Sequence, residues 1–522
     1  MNFILPIINV IIPVFNAKNN LERCVESILY GSFRDLEVIL IDDCSTDGSW
    51  ELCQTLSEKY PNVIAKQNIE NKGVSYTRNQ GLKLLRSEFV LFVDSDDWVS
   101  GSYVQSLYNI VLQQPDCLPI CGFQLVDQMT GRKENYVYNS DKKEGNISET
   151  EDLFELFSKI HIQQLWNKIF RKDIIEQYNI QFDEQQSMGE DFQFVLDYLK
   201  AAQVNKYVVL TKPLYYYVRA NNSSLMSKFG IIETENEFNR LKALLDLSHK
   251  KDSENKEKYI KAVETVKHNH ICRICRTANL KKKEKLILIE KELNDGCALS
   301  YYRKQRWQML KEKLSSKKEE LFNIPRRVYW KGIRYKNSRI IAKTSSLLKN
   351  KDFTIISQNC IGGVFYHDMN LQFKSPTINL FFKAEDYIKF ISHLEHYLGQ
   401  ELQMHWEEEY PVGVLDDIRV YFMHYNSCTE AKESWKKRLL RIQKDNLIVI
   451  ATDMEGFDDS CYEKWKQISY PKVLFSASKR DDANCVFFPV YRKRSSVPDL
   501  IPKREFYKDN ILIKVINSGG VE

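Results

Sequence analysis

Short apolar runs alternate with amphipathic segments along the first hundred residues. Buried strands are indicated by β-branched and aromatic residues in runs at 9–15, 37–41, 63–65 and 89–93. The segments between them repeat apolar residues at helical spacing, for example at Leu21, Cys24, Val25 and Ile28. Regular alternation of strand and helix predicts an α/β fold whose sheet is Rossmann-like and mostly parallel.

Acidic side chains follow two of these predicted strands. Asp94, Asp96 and Asp97 come directly after the fourth run, and Asp42 and Asp43 come after the second. Ligands bind at the carboxyl edge of open α/β sheets, and a divalent cation is a favourable way to keep clustered carboxylates ionised. The pattern predicts a metal and phosphate site, although a lone Asp-Asp after a strand more often caps a helix or forms a turn.

Other nucleotide-binding patterns are absent from the sequence. No Gly-x-Gly-x-x-Gly follows the first predicted strand, and no Gly-x-x-x-x-Gly-Lys-Ser/Thr occurs anywhere. These absences argue against a dinucleotide dehydrogenase and a P-loop NTPase. The sequence instead favours nucleotide binding through carboxylates and a metal.

Several short motifs resemble family 2 glycosyltransferases of the GT-A fold. They are Pro13 to Asn16, Ile41 to Ser49, Asn71 to Ser75, Arg78 to Gly81, Phe92 to Asp97, Leu165 to Phe170, Phe182 to Glu184, Gly189 to Asp191 and Tyr215 to Arg219. Cys44 stands where the family commonly has Gly. The resemblance implies transfer of a sugar from a nucleotide-diphosphate donor, such as a UDP-sugar, to a saccharide or lipid-linked acceptor hydroxyl. It also implies inversion and a role in cell-surface or exopolysaccharide biosynthesis.

The resemblance gives individual residues expected roles. The nucleotide is expected to contact Pro13, Asn16, Asp42, Asp43, Arg78 and Asp94. Because oxygen ligands suit Mg²⁺ or Mn²⁺, such an ion is expected at Asp94, Asp96 and Asp97, and the choice between Asp96 and Asp97 stays open.

Two further sets of residues have alternative interpretations. Asp191 is expected to be the catalytic base and Glu190 is its rival, but both acids could simply begin a helix, where acids favour the dipole. Acceptor-side or supporting roles are expected for Trp166, Asn167, Lys168 and Arg219. A tryptophan in this position could equally be a core anchor.

Length and charge suggest three regions within the 522 residues. We expect a GT-A domain at 1–225, a helical and basic connection at 226–350, and a second α/β domain at 351–522. The twelve cysteines show no paired framework, and no apolar run approaches a membrane span. These features favour the cytoplasm as the location, with at most peripheral contact with the inner face of the plasma membrane.

The segment 321–351 contains nine Lys or Arg residues and no Asp or Glu. Aromatic and aliphatic residues are interleaved with the cations, which suits an amphipathic surface resting on anionic lipid headgroups. An ordinary solvated helix is the alternative. Nucleic acid is not expected as a partner, because no recognition motif accompanies the charge.

The last 170 or so residues resemble an uncharacterised domain family associated with exopolysaccharide biosynthesis. Cys360 follows a predicted strand, so it could be a nucleophile with His367 or His424 as its base, although a buried cysteine is more often a small hydrophobe. This domain could be a second transferase or a noncatalytic acceptor-binding module. The competing interpretation of the whole chain is a sugar-nucleotide-binding scaffold without turnover.

Overall fold

The computed structural model of the chain describes residues 6–128, 131–138, 143–144, 147–150, 153–186, 189–204, 206–219, 239–240, 242–244, 246–247, 264, 268, 271–272, 274–275, 281–293 and 332–518. The chain divides into two compact units, Met1–Ser316 and Lys317–Glu522. Each unit has its own hydrophobic core. Within the described residues, every helix is too short or too polar to cross a membrane.

A five-stranded sheet forms the centre of the N-terminal unit. Its strands are β1 (Ile8–Val14), β2 (Leu36–Asp42), β3 (Val63–Gln67), β4 (Phe89–Phe92) and β10 (Phe170–Arg171), in the order β10-β4-β1-β2-β3. The strands β1 to β4 are parallel, and β10 runs antiparallel to β4. Strands β1, β2 and β4 are buried almost throughout, which explains their unbroken apolar runs. The expected mostly parallel α/β sheet is confirmed.

The winding of this sheet creates a crevice beside the predicted acids. Its connecting helices are α1 (Leu21–Leu29), α2 (Ser49–Lys59) and α3 (Val74–Leu82). Strands β2 and β3 lie on one side of β1, whereas β4 lies on the other. The chain segments that follow β1 and β4 therefore diverge, and ligands commonly bind in such a crevice.

A second sheet of six strands belongs to the same unit. Its strands are β5 (Trp98–Val99), β6 (Cys117–Asp127), β7 (Lys133–Tyr136), β8 (Lys143–Glu144), β9 (Ile147–Thr150) and β11 (Lys206–Arg219). Strand β11 pairs with β6 in parallel and with β5 and β9 in antiparallel fashion. Further helices of the unit are α4 (Tyr103–Gln113), α5 (Leu153–Ile160), α6 (Lys172–Gln177), α7 (Glu190–Ala202) and α8 (Lys282–Leu293).

The C-terminal unit has a parallel sheet and a small antiparallel one. The parallel sheet contains β12 (Thr354–Ser357), β16 (Leu447–Thr452), β17 (Lys472–Ser476) and β18 (Cys485–Phe487), in that order. The antiparallel sheet contains β13 (Gln403–Glu407), β14 (Tyr410–Leu415) and β15 (Ile418–Tyr421). The expected second α/β domain is thereby confirmed.

Helices complete the described part of the C-terminal unit. After a helical segment at 332–347 come α9 (Ile361–Asp368), α10 (Ala384–Ser392), α11 (Leu394–Gly399), α12 (Cys428–Leu439), α13 (Asp459–Lys466) and α14 (Ile511–Ser518). Two 3₁₀ segments occupy Pro489–Tyr491 and Glu505–Asn510.

The segment 378–382, whose apolar residues predict a strand in the sequence, is a loop. Only Phe381 makes a strand-like pair, with Tyr421. The residues Ile378, Leu380 and Phe382 are fully buried because every second residue of the loop packs into the core. The Tyr425 hydroxyl donates a hydrogen bond to the Ile378 carbonyl oxygen at 3.0 Å. Alternating burial therefore mimics the pattern of a strand without the backbone ladder.

A buried ion pair joins α9 to the segment that precedes α14. The side chain of Asp368 is 2% exposed, and it accepts hydrogen bonds from Arg504 Nε at 2.5 Å and Nη2 at 2.9 Å. The Tyr507 hydroxyl donates to the same carboxylate at 3.2 Å. Because the guanidinium is held by two hydrogen bonds, this pair fixes both distance and orientation.

We expect Asp368→Asn to lower the free energy of unfolding of the C-terminal unit by about 3 kcal/mol, because it leaves the Arg504 charge without its buried partner. Asp352→Asn is the matched control, since Asp352 is 70% exposed and pairs with Lys374 at the surface. Its expected cost is below about 1 kcal/mol. Denaturant unfolding of the full chain measures both values. Equal losses in the two variants would contradict the assignment.

Candidate active site

The loops after β1 and β2 are tied to each other at the carboxyl edge of the sheet. Pro13 lies within β1, and Asn16 follows the strand in the left-handed conformation, with a φ of 51°. The backbone N–H of Asn16 donates to Ser45 Oγ at 2.9 Å, and its side-chain Oδ1 accepts from the Thr46 N–H at 2.9 Å. Asparagine tolerates this conformation better than most residues, which explains its position at the turn.

Asp42 is the last residue of β2, and its two carboxylate oxygens differ in their hydrogen bonds. Its Oδ2 accepts hydrogen bonds from the Ser45 N–H at 3.0 Å and from the Gln67 amide at 3.1 Å. Its Oδ1 is buried and has no hydrogen-bond partner in the described part of the chain. An unpaired buried carboxylate oxygen is costly, so this atom is suited to accept a hydrogen bond from a ligand.

Asp43 organises the turn that leads into α3. Its carboxylate accepts hydrogen bonds from the Asn68 amide at 2.8 Å, the Lys72 N–H at 2.9 Å and the Gly73 N–H at 2.8 Å. Gly73 has a φ of 85°, a conformation that side chains rarely adopt. Asp43 is therefore occupied within the protein, in contrast to Asp42.

Arg78 joins three carboxylates from separate parts of the chain. It lies on α3 and is 3% exposed. Its Nη1 donates to Asp191 Oδ1 at 2.6 Å and to Glu190 Oε1 at 3.2 Å, and its Nη2 donates to Asp94 Oδ1 at 3.0 Å. The strand end of β4 and the first turn of α7 therefore meet at one guanidinium. We call Arg78, Asp94, Glu190 and Asp191 the acid cluster.

The carboxyl group of Asp191 holds its proton more tightly than usual. Burial raises the pKa of Asp191 to about 8, and the negative charges of Glu190 and Asp94 act in the same direction, while the positive charge of Arg78 opposes them. Its side chain is 20% exposed, so solvent or a substrate can reach it. A carboxyl group with a pKa near neutrality is suited to general acid–base chemistry.

Asp97 is fixed inside the protein. It is fully buried, and its Oδ1 accepts from the Val218 N–H at 2.7 Å while its Oδ2 accepts from the Tyr215 hydroxyl at 2.7 Å. The same Tyr215 oxygen accepts a hydrogen bond from the Asp94 N–H at 3.1 Å. Strand β11 therefore anchors the acidic loop at both Asp94 and Asp97. The sequence alone does not assign Tyr215 to the site, although the Tyr-rich β11 motif contains it.

Asp94 and Asp96 are the partly exposed acids of the loop. Burial and the charge of Asp94 raise the pKa of Asp96 to about 6, and Asp94 uses only Oδ1 in its bond to Arg78. Two partly exposed carboxylates, of which Asp94 disfavours the ionisation of Asp96, fit a divalent cation, and Mg²⁺ commonly takes one or two carboxylates together with substrate phosphates. No cluster of three or more possible metal ligands occurs among the described residues.

Three of the expected acceptor-side residues belong to the core. Trp166 is 3% exposed and stacks on Tyr215, with ring centroids 4.3 Å apart. Asn167 and Lys168 are completely buried, and the Asn167 amide donates to the Ile160 carbonyl oxygen at 2.8 Å. Arg219 is exposed at the end of β11. Trp166 and Asn167 thus support the anchoring strand and its surroundings.

Lys168 carries an amine in a fully buried position. Its Nζ donates to the Gln164 carbonyl oxygen and to Asn167 Oδ1. Burial lowers the pKa of Lys168 to about 7, although the Cys121 thiol and Asp191 act in the opposite direction. The electrostatic interaction with Asp191 connects this amine to the acid cluster.

The C-terminal residues Cys360, His367 and His424 do not form a hydrogen-bonded group. Among the described residues, the Cys360 thiol donates only to the Leu380 carbonyl oxygen, at 3.9 Å, and burial raises its pKa to about 11. His367 is 80% exposed and lies 3.7 Å from Asp368, and His424 is exposed. The raised pKa disfavours the thiolate form that a nucleophile requires.

Comparison with known proteins identifies both parts of the chain. Residues 9–178 match the model of the glycosyl transferase family 2. The N-terminal part carries a family 2 glycosyltransferase domain. Residues 332–517 match a domain of unknown function, DUF1919. Both resemblances found in the sequence, to this transferase family and to an uncharacterised domain family, are confirmed.

Relatives of the family 2 domain include bacterial glycosyltransferases. The chain is 30% identical to the glycosyltransferase GlyA of Streptococcus pneumoniae over 215 residues, 40% of this chain and 30% of GlyA. It is 26% identical to the poly(ribitol-phosphate) beta-glucosyltransferase of Bacillus spizizenii over 255 residues, 48% of this chain and 38% of that protein. The chain therefore spans less than two thirds of the length of these relatives.

A solved structure similar to the chain is S. aureus TarS 1–349 in complex with UDP. The two structures have a TM-score of 0.41 and 21% sequence identity. The matched region covers 57% of this chain and 80% of that one.

We expect Lys168→Met to remove a pH-dependent contribution to stability. Because the folded protein releases the Lys168 proton near pH 7 and the unfolded chain releases it near pH 10.4, the free energy of unfolding rises with pH between these values by about 1.4 kcal/mol per pH unit. The variant lacks this slope. Denaturant unfolding at pH 7, 8 and 9 measures the difference. Lys200→Met, at a half-exposed lysine of α7, is the control and keeps the wild-type slope. Equal slopes in the wild type and Lys168→Met would refute a neutral buried amine.

Proposed function

We propose that the N-terminal unit transfers a sugar, of the hexosyl type, from a nucleotide-diphosphate donor to an acceptor hydroxyl with inversion. The observation that carries the proposal is the acid cluster, in which Arg78 brings Asp94 within 3.0 Å and Asp191 within 2.6 Å of one guanidinium. Residues suited to the donor phosphates and a residue suited to proton removal therefore lie within one site. UDP-sugars are the donor class that we propose.

The nucleotide is proposed to bind across the loops after β1 and β2. The unpaired Oδ1 of Asp42 can accept a hydrogen bond from a base N–H or a ribose hydroxyl. Asn16 and Pro13 form the neighbouring loop, which is fixed to the β2 loop by the hydrogen bonds of Ser45 and Thr46. Asp43 contributes indirectly, because it holds the turn before α3 and thereby the start of the helix that carries Arg78.

Mg²⁺ or Mn²⁺ is the proposed cofactor, held by Asp94 and Asp96. Asp97 is assigned a supporting role, because both of its oxygens accept hydrogen bonds from β11. When bound, such an ion would stabilise the negative charge that develops on the leaving diphosphate. Arg78 complements this charge stabilisation by holding the carboxylate of Asp94 in place.

Asp191 is proposed to be the base. Its ionised carboxylate takes the proton of the acceptor hydroxyl while the acceptor oxygen attacks the anomeric carbon. The bond from that carbon to the diphosphate breaks, and the nucleoside diphosphate leaves with the bonding electrons. Attack from the face opposite the leaving group inverts the configuration. Glu190 shares Arg78 with Asp191 and helps to orient it.

The acceptor is proposed to be a saccharide or a lipid-linked sugar in the synthesis of a cell-surface polymer. Support comes from the relative named poly(ribitol-phosphate) beta-glucosyltransferase, whose name specifies a polymer acceptor. The exposed Arg219, which follows Val218 beside the anchored acidic loop, is the residue of the expected acceptor set that can meet such a substrate.

Release of nucleoside diphosphate from a panel of sugar nucleotides, with Mn²⁺ or Mg²⁺ present, tests the proposal. We expect turnover with at least one UDP-sugar, and a fall of about a thousandfold or more in Asp191→Asn with nucleotide affinity nearly unchanged. Asp197→Asn is the matched control, because Asp197 lies on α7 and its partners in the described part of the chain are Gln193 and Lys200. Nucleotide binding without release from any donor would favour a scaffold without turnover.

The activity should depend on pH through Asp191. Since the pKa of Asp191 is raised to about 8, the base is protonated and inactive at lower pH. We expect kcat/KM to increase about tenfold per pH unit below that value and to level off above it. Initial rates between pH 5.5 and 9.5 measure the profile. A flat profile across this range would exclude Asp191 as the titrating base.

A further inference from the structure

The C-terminal unit has a strongly basic surface formed by two segments. Residues 332–351 and 489–504 together contain eleven Lys or Arg residues and one acid, Asp499. Apart from Arg504, which pairs with Asp368, none of these cations forms an ion pair with a carboxylate in the described part of the chain. We call these two segments the basic surface. Its charge favours contact with an anionic partner.

The two segments lie side by side in the fold. The Asn337 amide donates a hydrogen bond to the Pro502 carbonyl oxygen at 2.9 Å. Tyr491 packs with Ile340 and Ile341 against the same hydrophobic core. The Tyr491 hydroxyl also donates a hydrogen bond to the carboxylate of Glu505, at 2.9 Å. Glu505 is the first residue after the segment 489–504. The two segments are therefore neighbours in the fold, and their cations contribute to one electrostatic field.

The helical segment 332–347 turns its apolar face inward. Ile340 and Ile341 pack against the core, whereas Arg334, Lys336, Arg339 and Lys343 are exposed. The apolar face of this helical segment is covered by the core and cannot enter a bilayer. Deep insertion of the segment is therefore not expected. The exposed face is suited to electrostatic contact with a flat, negatively charged surface.

A few large apolar side chains project from this cationic face. Tyr335 is 66% exposed, Val490 is 77% exposed and Leu347 is 39% exposed. Tyrosine favours the boundary between lipid headgroups and acyl chains, and single aliphatic side chains can enter this boundary. Exposed aliphatic side chains such as Val490 and Leu347 favour a bilayer over nucleic acid, which contacts proteins through its phosphates and through the stacking of bases on aromatic rings.

We propose that the basic surface binds a bilayer that contains anionic lipids. The interaction combines attraction between its cations and the headgroups with shallow contact by Tyr335 and Val490. It stands independently of the transferase reaction, because it uses residues of the C-terminal unit alone. The consequence is a reversible attachment that weakens as salt screens the charges.

Flotation of the full chain with vesicles tests the proposal. We expect binding to vesicles of phosphatidylcholine with 30% phosphatidylglycerol, little binding to pure phosphatidylcholine, and loss of binding at 0.5 M NaCl. A variant with Arg334, Lys336, Arg339 and Lys343 all changed to Gln should bind roughly several hundredfold more weakly, since each of the four cations near an anionic surface contributes about 1 kcal/mol, or about fivefold. Equal binding to both kinds of vesicle would overturn the proposal.

A control variant separates local charge from net charge. Lys436, Lys437, Lys444 and Lys464 are exposed cations of the same unit outside the two segments. Changing these four to Gln removes the same charge, and we expect at most a fewfold loss of binding. Similar losses in both quadruple variants would show that only net charge matters, and would refute a defined surface.

A second measurement distinguishes lipid from nucleic acid. Fluorescence anisotropy with a labelled 20-nucleotide RNA and a DNA duplex, at the salt concentration of the flotation, should show weaker binding than the anionic vesicles. Tighter binding to either nucleic acid, with the same loss in the first quadruple variant, would overturn the assignment to lipid. Thermal unfolding of both variants should match the wild type, because all eight side chains are exposed.

Discussion

The candidate site depends on one buried guanidinium that faces three carboxylates. Arg78 offsets the mutual repulsion of Asp94, Glu190 and Asp191, although burial still raises the pKa of Asp191 to about 8. Arg78 neutralises one of the three charges and leaves the group with an affinity for a further cation. The same residue joins α3, the loop after β4 and the start of α7. The Arg78 side chain therefore both offsets the charge of the acid cluster and holds three parts of the chain together.

The acids of the two strand ends have different physical roles. Asp43 and Asp97 use their oxygens on hydrogen bonds within the protein, and they fix the two loops. Asp42 has one unpaired oxygen, and Asp94 and Asp96 remain partly exposed. In each pair of adjacent acids, one side chain shapes the loop and the other is left for a ligand. This division suits a site that must be rigid before its substrate arrives.

Local pattern was sufficient for the fold but not for the roles of the acids. Parallel strands buried on both faces leave apolar runs that can be recognised in the sequence, as at β2 and β4. The loop at 378–382 was wrongly predicted as a strand, because alternating burial does not reveal whether the backbone has a partner strand. Asp96 and Asp97 were indistinguishable because the partners of Asp97, Tyr215 and Val218, come about 120 residues later. The position of Cys360 after a predicted strand likewise did not reveal that burial raises the pKa of its thiol.

The anchoring of Asp97 by β11 affects the order in which parts of the protein fold during synthesis. Tyr215 follows Asp97 by 118 residues, so the acidic loop emerges from the ribosome long before the strand that holds it. At about 5–20 residues per second, this interval lasts roughly 6–24 s. During that time the acidic loop lacks its hydrogen bonds to β11, although it can form those to α1, such as the bond from Arg23 Nη2 to the Asp96 carbonyl oxygen. The anchoring of the acidic loop is therefore complete only when the second sheet forms.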